Sequence, residues 1–278
     1  MQDDPDFSCS ETVPLKKVAL RVEYNGCRFS GWQKQRSANI ATVQDVLETA
    51  LSAVANHQIE LVCAGRTDSG VHATAQIVHF ETTADRGKKA WEQGVNSLLP
   101  NSVSVTQALE VDSAFHARFS AVFRRYNYVI QRRPTPSALT DGLVVPLRHE
   151  LDVRAMNSAA DYLLGEQDFS SFRAAGCQSK TANRCVLEAA FSEHGEFLVF
   201  SIRANAFLQH MVRNIMGSLL VVGRGDKPPS WIKELIDERD RTKAAATAPP
   251  QGLYLVEVGY PNAMQTPAAF VLPPYLAS

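Results

Sequence analysis

The run Cys63-Ala64-Gly65-Arg66-Thr67-Asp68-Ser69-Gly70-Val71-His72-Ala73 lies between two apolar stretches, Ile59 to Ala64 and Ala75 to Phe80. Those stretches read as strands and the polar run as the loop that joins them. A loop held between two strands presents a carboxylate rigidly without burying loop backbone. Its two glycines permit positive φ or the close approach of a ligand. Arg66 lies two residues before Asp68, so the pair can face each other across the loop, where a guanidinium would keep the acid ionised. The same residues also suit a polar hairpin connection carrying an ordinary surface ion pair.

The chain has 278 residues, 45% of them apolar, enough for one large core or two smaller ones. Its formal net charge is -1, so no global positive field announces a nucleic-acid partner, and any RNA-binding surface must be a local concentration of charge. Such segregation exists. Arg118, Arg124, Arg125, Arg132 and Arg133 fall in one stretch without an acid, whereas Asp226, Glu234, Asp237, Glu238 and Asp240 gather towards the C-terminal end. The five cysteines are odd in number and form no C-x-x-C pair, so neither a disulfide framework nor a zinc site is suggested; they read as reduced thiols of a cytoplasmic protein. No apolar run approaches the roughly 20 residues that span a bilayer. The acidic N-terminus is unlike a signal peptide, and residues 1–14 are expected to be a disordered lead-in.

Val18 to Tyr24 alternates as a half-buried strand, and a loop follows to about Ile40. Thr42 can cap a helix whose apolar positions are Val43, Val46, Leu47, Ala50, Leu51 and Val54. Beyond the loop strands come a helix at Lys88 to Leu99 and strands at Val103 to Val111 and Phe123 to Gln131. This β-α-β-β-α-β order suggests a ferredoxin-like unit. A linker rich in proline follows. The pattern then partly recurs, with a helix at Val153 to Leu164, strands at Cys185 to Ser192 and Phe197 to Ala204, and a long helix at Phe207 to Val222. Short helices are expected after Pro229 and around Thr242, and a last strand at Leu253 to Gly259. The expected architecture is α/β (α+β): two ferredoxin-like or RRM-like halves with mainly antiparallel sheets and a cleft between them. The halves are bounded at 15–133 and 151–262, with a linker at 134–150 and a tail at 263–278.

The Asp68 segment resembles the active-site motif of the TruA-type tRNA pseudouridine synthases, from which it departs by Ser69 in place of alanine. Arg124-Arg125-Tyr126-Asn127-Tyr128 is similar to the family's Arg-Tyr-x-Tyr strand. Asn205-Ala206-Phe207-Leu208-Gln209-His210-Met211-Val212-Arg213-Asn214 is similar to its Asn-Ala-Phe-x-x-His-Met-Val-Arg-Asn signature. Tyr24 to Gln33, Phe115 to Phe119, Ser171 to Arg173, Ser179 to Arg184 and Gly252 to Leu255 extend the resemblance over about Val18 to Pro261.

What the resemblance implies is an enzyme that isomerises uridine to pseudouridine at tRNA positions 38, 39 and 40 in the anticodon stem-loop. It also implies a homodimer and an extruded target base, with no metal or organic cofactor. Asp68 would be essential, either as nucleophile or as base. Tyr126 would stack on the base and Leu253 lie beneath it. Arg66, Phe207, His210 and Arg213 would line the site. Helical projection puts His210, Arg213, Asn214 and Gly217 opposite the apolar stripe, a face open either to RNA backbone or to another packed element. Trp32, Lys34, Arg36, Arg118, Arg124, Arg173, Lys180 and Arg184 are further candidates for contact with RNA. Two other activities would use the same residues: a non-catalytic RNA-binding protein on the same fold, and an N-glycoside hydrolase working through the same carboxylate.

Overall fold

The computed structural model describes residues 14–35, 41–267 and 270–276. The expected lead-in and Arg36 therefore lie outside the described residues, apart from Pro14. The elements in chain order are β1 (Lys16–Tyr24), α1 (Val43–Ala55), β2 (Val62–Cys63), β3 (His72–Thr82), β4 (Val103–Val111), β5 (Phe123–Arg132), β6 (Val145–Leu147), α2 (Val153–Asp161), β7 (Gly165–Asp168), β8 (Asn183–His194), β9 (Phe197–Ala204), α3 (Met211–Gly223), α4 (Trp231–Glu238) and β10 (Leu253–Gly259). Thr42 caps α1 as its sequence predicts, with its hydroxyl accepting the Asp45 amide. The helix expected over Lys88 to Leu99 is centred on a short π-type segment, Ala90–Gly94.

The strands form one mixed α/β sheet in the order β4-β1-β3-β10-β5-β9-β8-β7, with β2 on β3 and β6 on β5. Neighbours along that path are antiparallel except at one place. The last strand, β10, lies parallel to β3 over a two-residue register, Tyr254 with His72 and Leu255 with Ala73, and antiparallel to β5 on its other side. The sheet is thus continuous, and β3 and β10 meet at a short seam immediately behind the Asp68 loop. β5 pairs with β9 and β10, so it belongs to the later side of the seam although it follows β4 in the chain.

Two buried side chains hold the seam. His72 accepts the Gly26 amide on Nδ1 at 3.0 Å, which leaves Nε2 as the protonated nitrogen facing the carbonyls of Gly142 (3.1 Å) and Gln251 (3.0 Å). Its ring stacks on Tyr254 at 4.5 Å. Gly26 packs directly on this junction: a Cβ there would lie 2.0 Å from the Val71 carbonyl oxygen. The Asn25-Gly26 turn therefore serves close packing as well as turn geometry.

The second is Arg124, 8% exposed. Nε and Nη2 donate to the Ala64 carbonyl at 3.2 and 2.8 Å. Nη1 donates to Asn205 and Ala121, and Nη2 also to Arg118. One guanidinium thus satisfies carbonyls at the start of the Asp68 loop, at the entry to the His210 segment and in the turn before β5. Burial depresses its pKa, but a guanidinium stays charged in proteins. Arg124 was expected as a contact to RNA; with its donors spent on backbone it is a structural clamp instead.

α3 begins at Met211, four residues after the expected start, and Asn205 to His210 forms a turn ahead of it. Asn214 is buried, donates to the Phe172 carbonyl and accepts from Thr247 at 2.6 Å and Arg241 at 3.1 Å. A Cβ on Gly217 would meet the Ala246 carbonyl oxygen at 2.0 Å. Of the two readings left open for this helix face, Asn214 and Gly217 take the packing one.

Arg124→Lys is expected to destabilise the protein by about 2–4 kcal/mol, because an ammonium cannot reach carbonyls on several sides and leaves them buried without donors; chemical denaturation measures it. His72 and the buried His79, whose Nδ1 accepts the Ala117 amide, are both lowered to about 4 by burial. The folded state therefore binds fewer protons than the unfolded chain. The stability they contribute is complete above pH 6.5 and falls as pH drops towards 4, by at most about 1.4 kcal/mol per pH unit for each ring. Urea titrations at pH 7 and pH 5 should show the loss, and His79→Gln should flatten the slope.

Candidate functional site

Asp68 stands on the turn that leads into β3. Its carbonyl accepts the Val71 amide at 3.1 Å, and Gly70 takes a φ of 77°, a region glycine enters without strain. The rest of the loop is fixed from below. Gln76, fully buried in β3, donates to the Gly65 carbonyl at 2.6 Å and accepts the Gly65 amide at 3.3 Å. Thr67 bonds Tyr24 hydroxyl to hydroxyl at 2.8 Å, and its carbonyl takes the Trp32 amide at 3.0 Å. Ser69 donates to the Phe29 carbonyl at 3.2 Å. A short loop tied this way carries its acid at a defined position rather than on a mobile tip.

The partners of that acid differ from those the local sequence suggested. Asp68 Oδ2 lies 3.5 Å from His210 Nε2 and 3.6 Å from Arg213 Nη1. Arg66 is exposed and makes no ion pair with Asp68, because the backbone on both sides of it is pinned at Gly65 and Thr67. The guanidinium facing Asp68 comes instead from Arg213, 145 residues further along the chain. Arg213 is itself held, donating through Nε to the Ala248 carbonyl at 2.8 Å. His210 takes a φ of 60°, a left-handed conformation costly for a residue with a side chain and found where geometry is over-determined. At these separations both contacts are longer than ordinary hydrogen bonds, and the Arg213 guanidinium forms an ion pair with the carboxylate. Among the described residues the carboxylate accepts no hydrogen bond, so its oxygens remain available.

Around Asp68 opens a cleft of about 1170 Å³, and Asp68 is the sole acid among its lining residues. Lys34, Arg66, Arg118, Arg184 and Arg213 supply positive charge to the same walls. Tyr126, 7% exposed, meets Phe207 edge to face at 5.0 Å, and Leu253 lines the same cleft. Burial raises the Tyr126 phenol above its ordinary range, the Asp68 charge adds to this, and Arg124 opposes it; the ring is a neutral, apolar surface with a hydroxyl at its tip. Tyr128, on the same strand face, is fully buried and donates to the Pro249 carbonyl at 2.8 Å. The face of β5 therefore passes from core to cleft between the two tyrosines.

Asp68, Arg66, Tyr126, Leu253, Phe207, His210 and Arg213, drawn from distant parts of the chain, all line this one cleft. The outer candidates divide. Trp32 is 1% exposed and packs against Tyr24 at 5.9 Å, so its ring belongs to the core and cannot stack on RNA. Lys34 is paired with Asp45 at 2.7 Å. Arg173 and Arg184 spend donors on the 177–183 loop, at Cys177, Ser179, Thr181 and Asn183, and fold that wall rather than reach from it. Lys180 is exposed on the same loop, and Arg118 is exposed at the rim. The supporting roles of Gln76 and His72 escaped the sequence reading. Their signal is a polar residue inside a strand with no exposed position before Glu81, a pattern that calls for a specific buried partner.

The sequence matches the family model described as tRNA pseudouridine synthase over residues 21–120 and 159–261. The tRNA pseudouridine synthase A of Tolumonas auensis is 53% identical over 88% of this chain and 93% of its own length. Those of Vibrio campbellii and Glaesserella parasuis are 48% and 51% identical, over 94% and 90% of this chain and 98% and 95% of theirs. Among solved structures, a Cbf5-Nop10-Gar1 complex aligns with 86% of this chain and 49% of its own at a TM-score of 0.36 and 10% identity, too remote to guide the reading of the site. Identity of about half over most of the chain, with a family-model match that spans both the Asp68 loop and the His210 segment, makes this chain a member of the tRNA pseudouridine synthase family, an enzyme that converts uridine in tRNA to pseudouridine.

Proposed function

We propose that Asp68 carries the isomerisation and that its substrates are the uridines at tRNA positions 38, 39 and 40, in the anticodon stem-loop. The observation that carries the catalytic assignment is a lone carboxylate in a basic cleft, accepting no hydrogen bond among the described residues, with Tyr126 and Leu253 lining the same cleft. A cleft for phosphates has no use for an acid unless the acid does chemistry.

In this reading the target nucleotide leaves the helical stack, at a cost of a few kcal/mol, and its base is held against Tyr126 and Leu253. The C1′–N1 bond breaks, the uracil turns, C5 bonds to C1′, and the proton on C5 departs while N1 gains one. Atoms balance without a co-substrate. Asp68 starts the sequence by attack on the sugar or by removing the C2′ proton, and both routes need a carboxylate whose oxygens are unengaged. His210 and Arg213 hold it in place, and Arg66 and Arg118, exposed on the cleft wall, take phosphates in this reading. The tRNA positions and a homodimeric state rest on the family resemblance, a cytoplasmic setting on the unpaired cysteines, and all three are proposed with it.

Asp68→Asn keeps size and shape but removes the charge. Release of tritium from C5-labelled uridine in unmodified tRNA should fall by at least about 10³-fold, and activity equal to the parent's would overturn the assignment. Mapping pseudouridine in the product tRNA tests the three positions. Binding should weaken linearly in log–log form with salt, and Arg66→Ala should reduce the slope by about one counterion's worth.

A further inference from the structure

Phe119 is the most exposed aromatic among the described residues, 76% open to solvent, and it stands on the wall of the Asp68 cleft. A singly exposed apolar side chain is ordinary; the mounting of this one is not. Its ring stacks on His116 with centroids 4.3 Å apart and planes 29° from parallel. His116 rests on the buried His79 at 4.9 Å, and His79 meets the buried Phe115 edge-on at 5.9 Å. A column of rings runs from the core to the rim and ends in Phe119.

The turn that carries it is rigid. The amides of Arg118 and Phe119 both donate to His116 Nδ1, at 3.2 and 3.1 Å. The Ser120 amide donates to the His116 carbonyl and the Ser120 hydroxyl accepts the His116 amide. Nδ1 as acceptor requires the neutral ring, and burial, helped by the charges of Lys17 and Arg118, lowers the His116 pKa in that direction. The Arg118 carbonyl is gripped by Arg124 at 2.7 Å, the same guanidinium that holds Ala64 at the root of the Asp68 loop. Phe119 is therefore fixed relative to the catalytic candidate. The Arg118 guanidinium lies 5.6 Å from its ring centroid.

An aromatic surface in water beside a cation, at the edge of a cleft that takes RNA, matches how single-stranded nucleotides are held: a base on the ring and a phosphate on the arginine. We propose that Phe119 is a stacking platform for a nucleobase adjoining the extruded uridine, with Arg118 on the neighbouring phosphate. The platform occupies part of the gap and holds the strand open while the target sits at Asp68. This inference rests on the cleft being the RNA site.

The test measures affinity of the full-length protein for a fluorescently labelled, unmodified anticodon stem-loop RNA by anisotropy, in the Asp68→Asn background so that no turnover occurs. Phe119→Ala and Phe119→Leu are expected to weaken binding by about 10- to 100-fold, and Phe119→Tyr to stay within about twofold, because stacking needs a π face and not mere bulk. Phe119→Leu binding as well as Phe119→Tyr overturns the platform, as does Phe119→Ala binding like its parent. A change in oligomeric state on Phe119→Ala, read by sedimentation, also overturns it, since Phe119 would then belong to a contact between copies. Arg66→Glu serves as the separate arm. If it weakens binding while Phe119→Ala does not, the platform alone fails; if neither does, the reading of the cleft fails with it.

Discussion

The buried guanidinium of Arg124 is the constraint on which the site depends. Three pieces of chain must meet for Asp68 to face Arg213: the loop before β3, the turn before β5 and the segment that leads into α3. Each would bring carbonyl groups into a place with little water, where unpaired polar atoms are costly. Arg124 answers all of them at once, since its five donors spread in a plane and reach Ala64, Arg118, Ala121 and Asn205. A charge buried without an acid is tolerable here because backbone dipoles take the place of a counter-ion.

The seam between β3 and β10 explains where the site lies. A two-residue parallel register contributes few ladder hydrogen bonds, so the junction relies on side chains, with His72 bridging Gly26, Gly142 and Gln251. The cleft opens next to that junction. Rigid strands supply the Asp68 loop from one side, while the start of α3 supplies His210 and Arg213 from the other. The strained backbone at His210 belongs to this arrangement: it breaks the chain direction before α3 and brings the imidazole to Asp68.

Much of this was legible in the chain. The helical repeat from Val43 to Val54, the alternation from Val18 to Tyr24 and the strand at Leu253 to Gly259 follow from local apolar periodicity, and such periodicity survives folding because it is what packs. The Asp68 run, the Tyr126 strand and the His210 segment were recognisable as pieces of one site. Trp32, Arg124 and Arg184 were read as outward contacts because aromatic and cationic side chains often are. Arg124 is turned inward by the Ala64 carbonyl, 60 residues away, which nothing local encodes. Arg184 and Trp32 are held by nearer neighbours, the 179–183 segment and Tyr24, but the sequence pattern does not show that those contacts form. The early start given to α3 arises because Leu208 fits the helical stripe while residues 207–210 belong to a turn tied to Tyr126 and Ala174.

The sequence by itself determined most of the longer strands and helices, that a single acid lies in a glycine-flanked loop, and that the chain resembles a family acting on tRNA; these follow from residue type and spacing along a short window. Only the tertiary structure decided which cation faces Asp68, which arginines are structural, and that Phe119 ends a column of rings at the cleft. Ion pairing, desolvation and stacking depend on distances of a few ångströms between residues far apart in the chain, and those distances exist only once β10 has closed against β3.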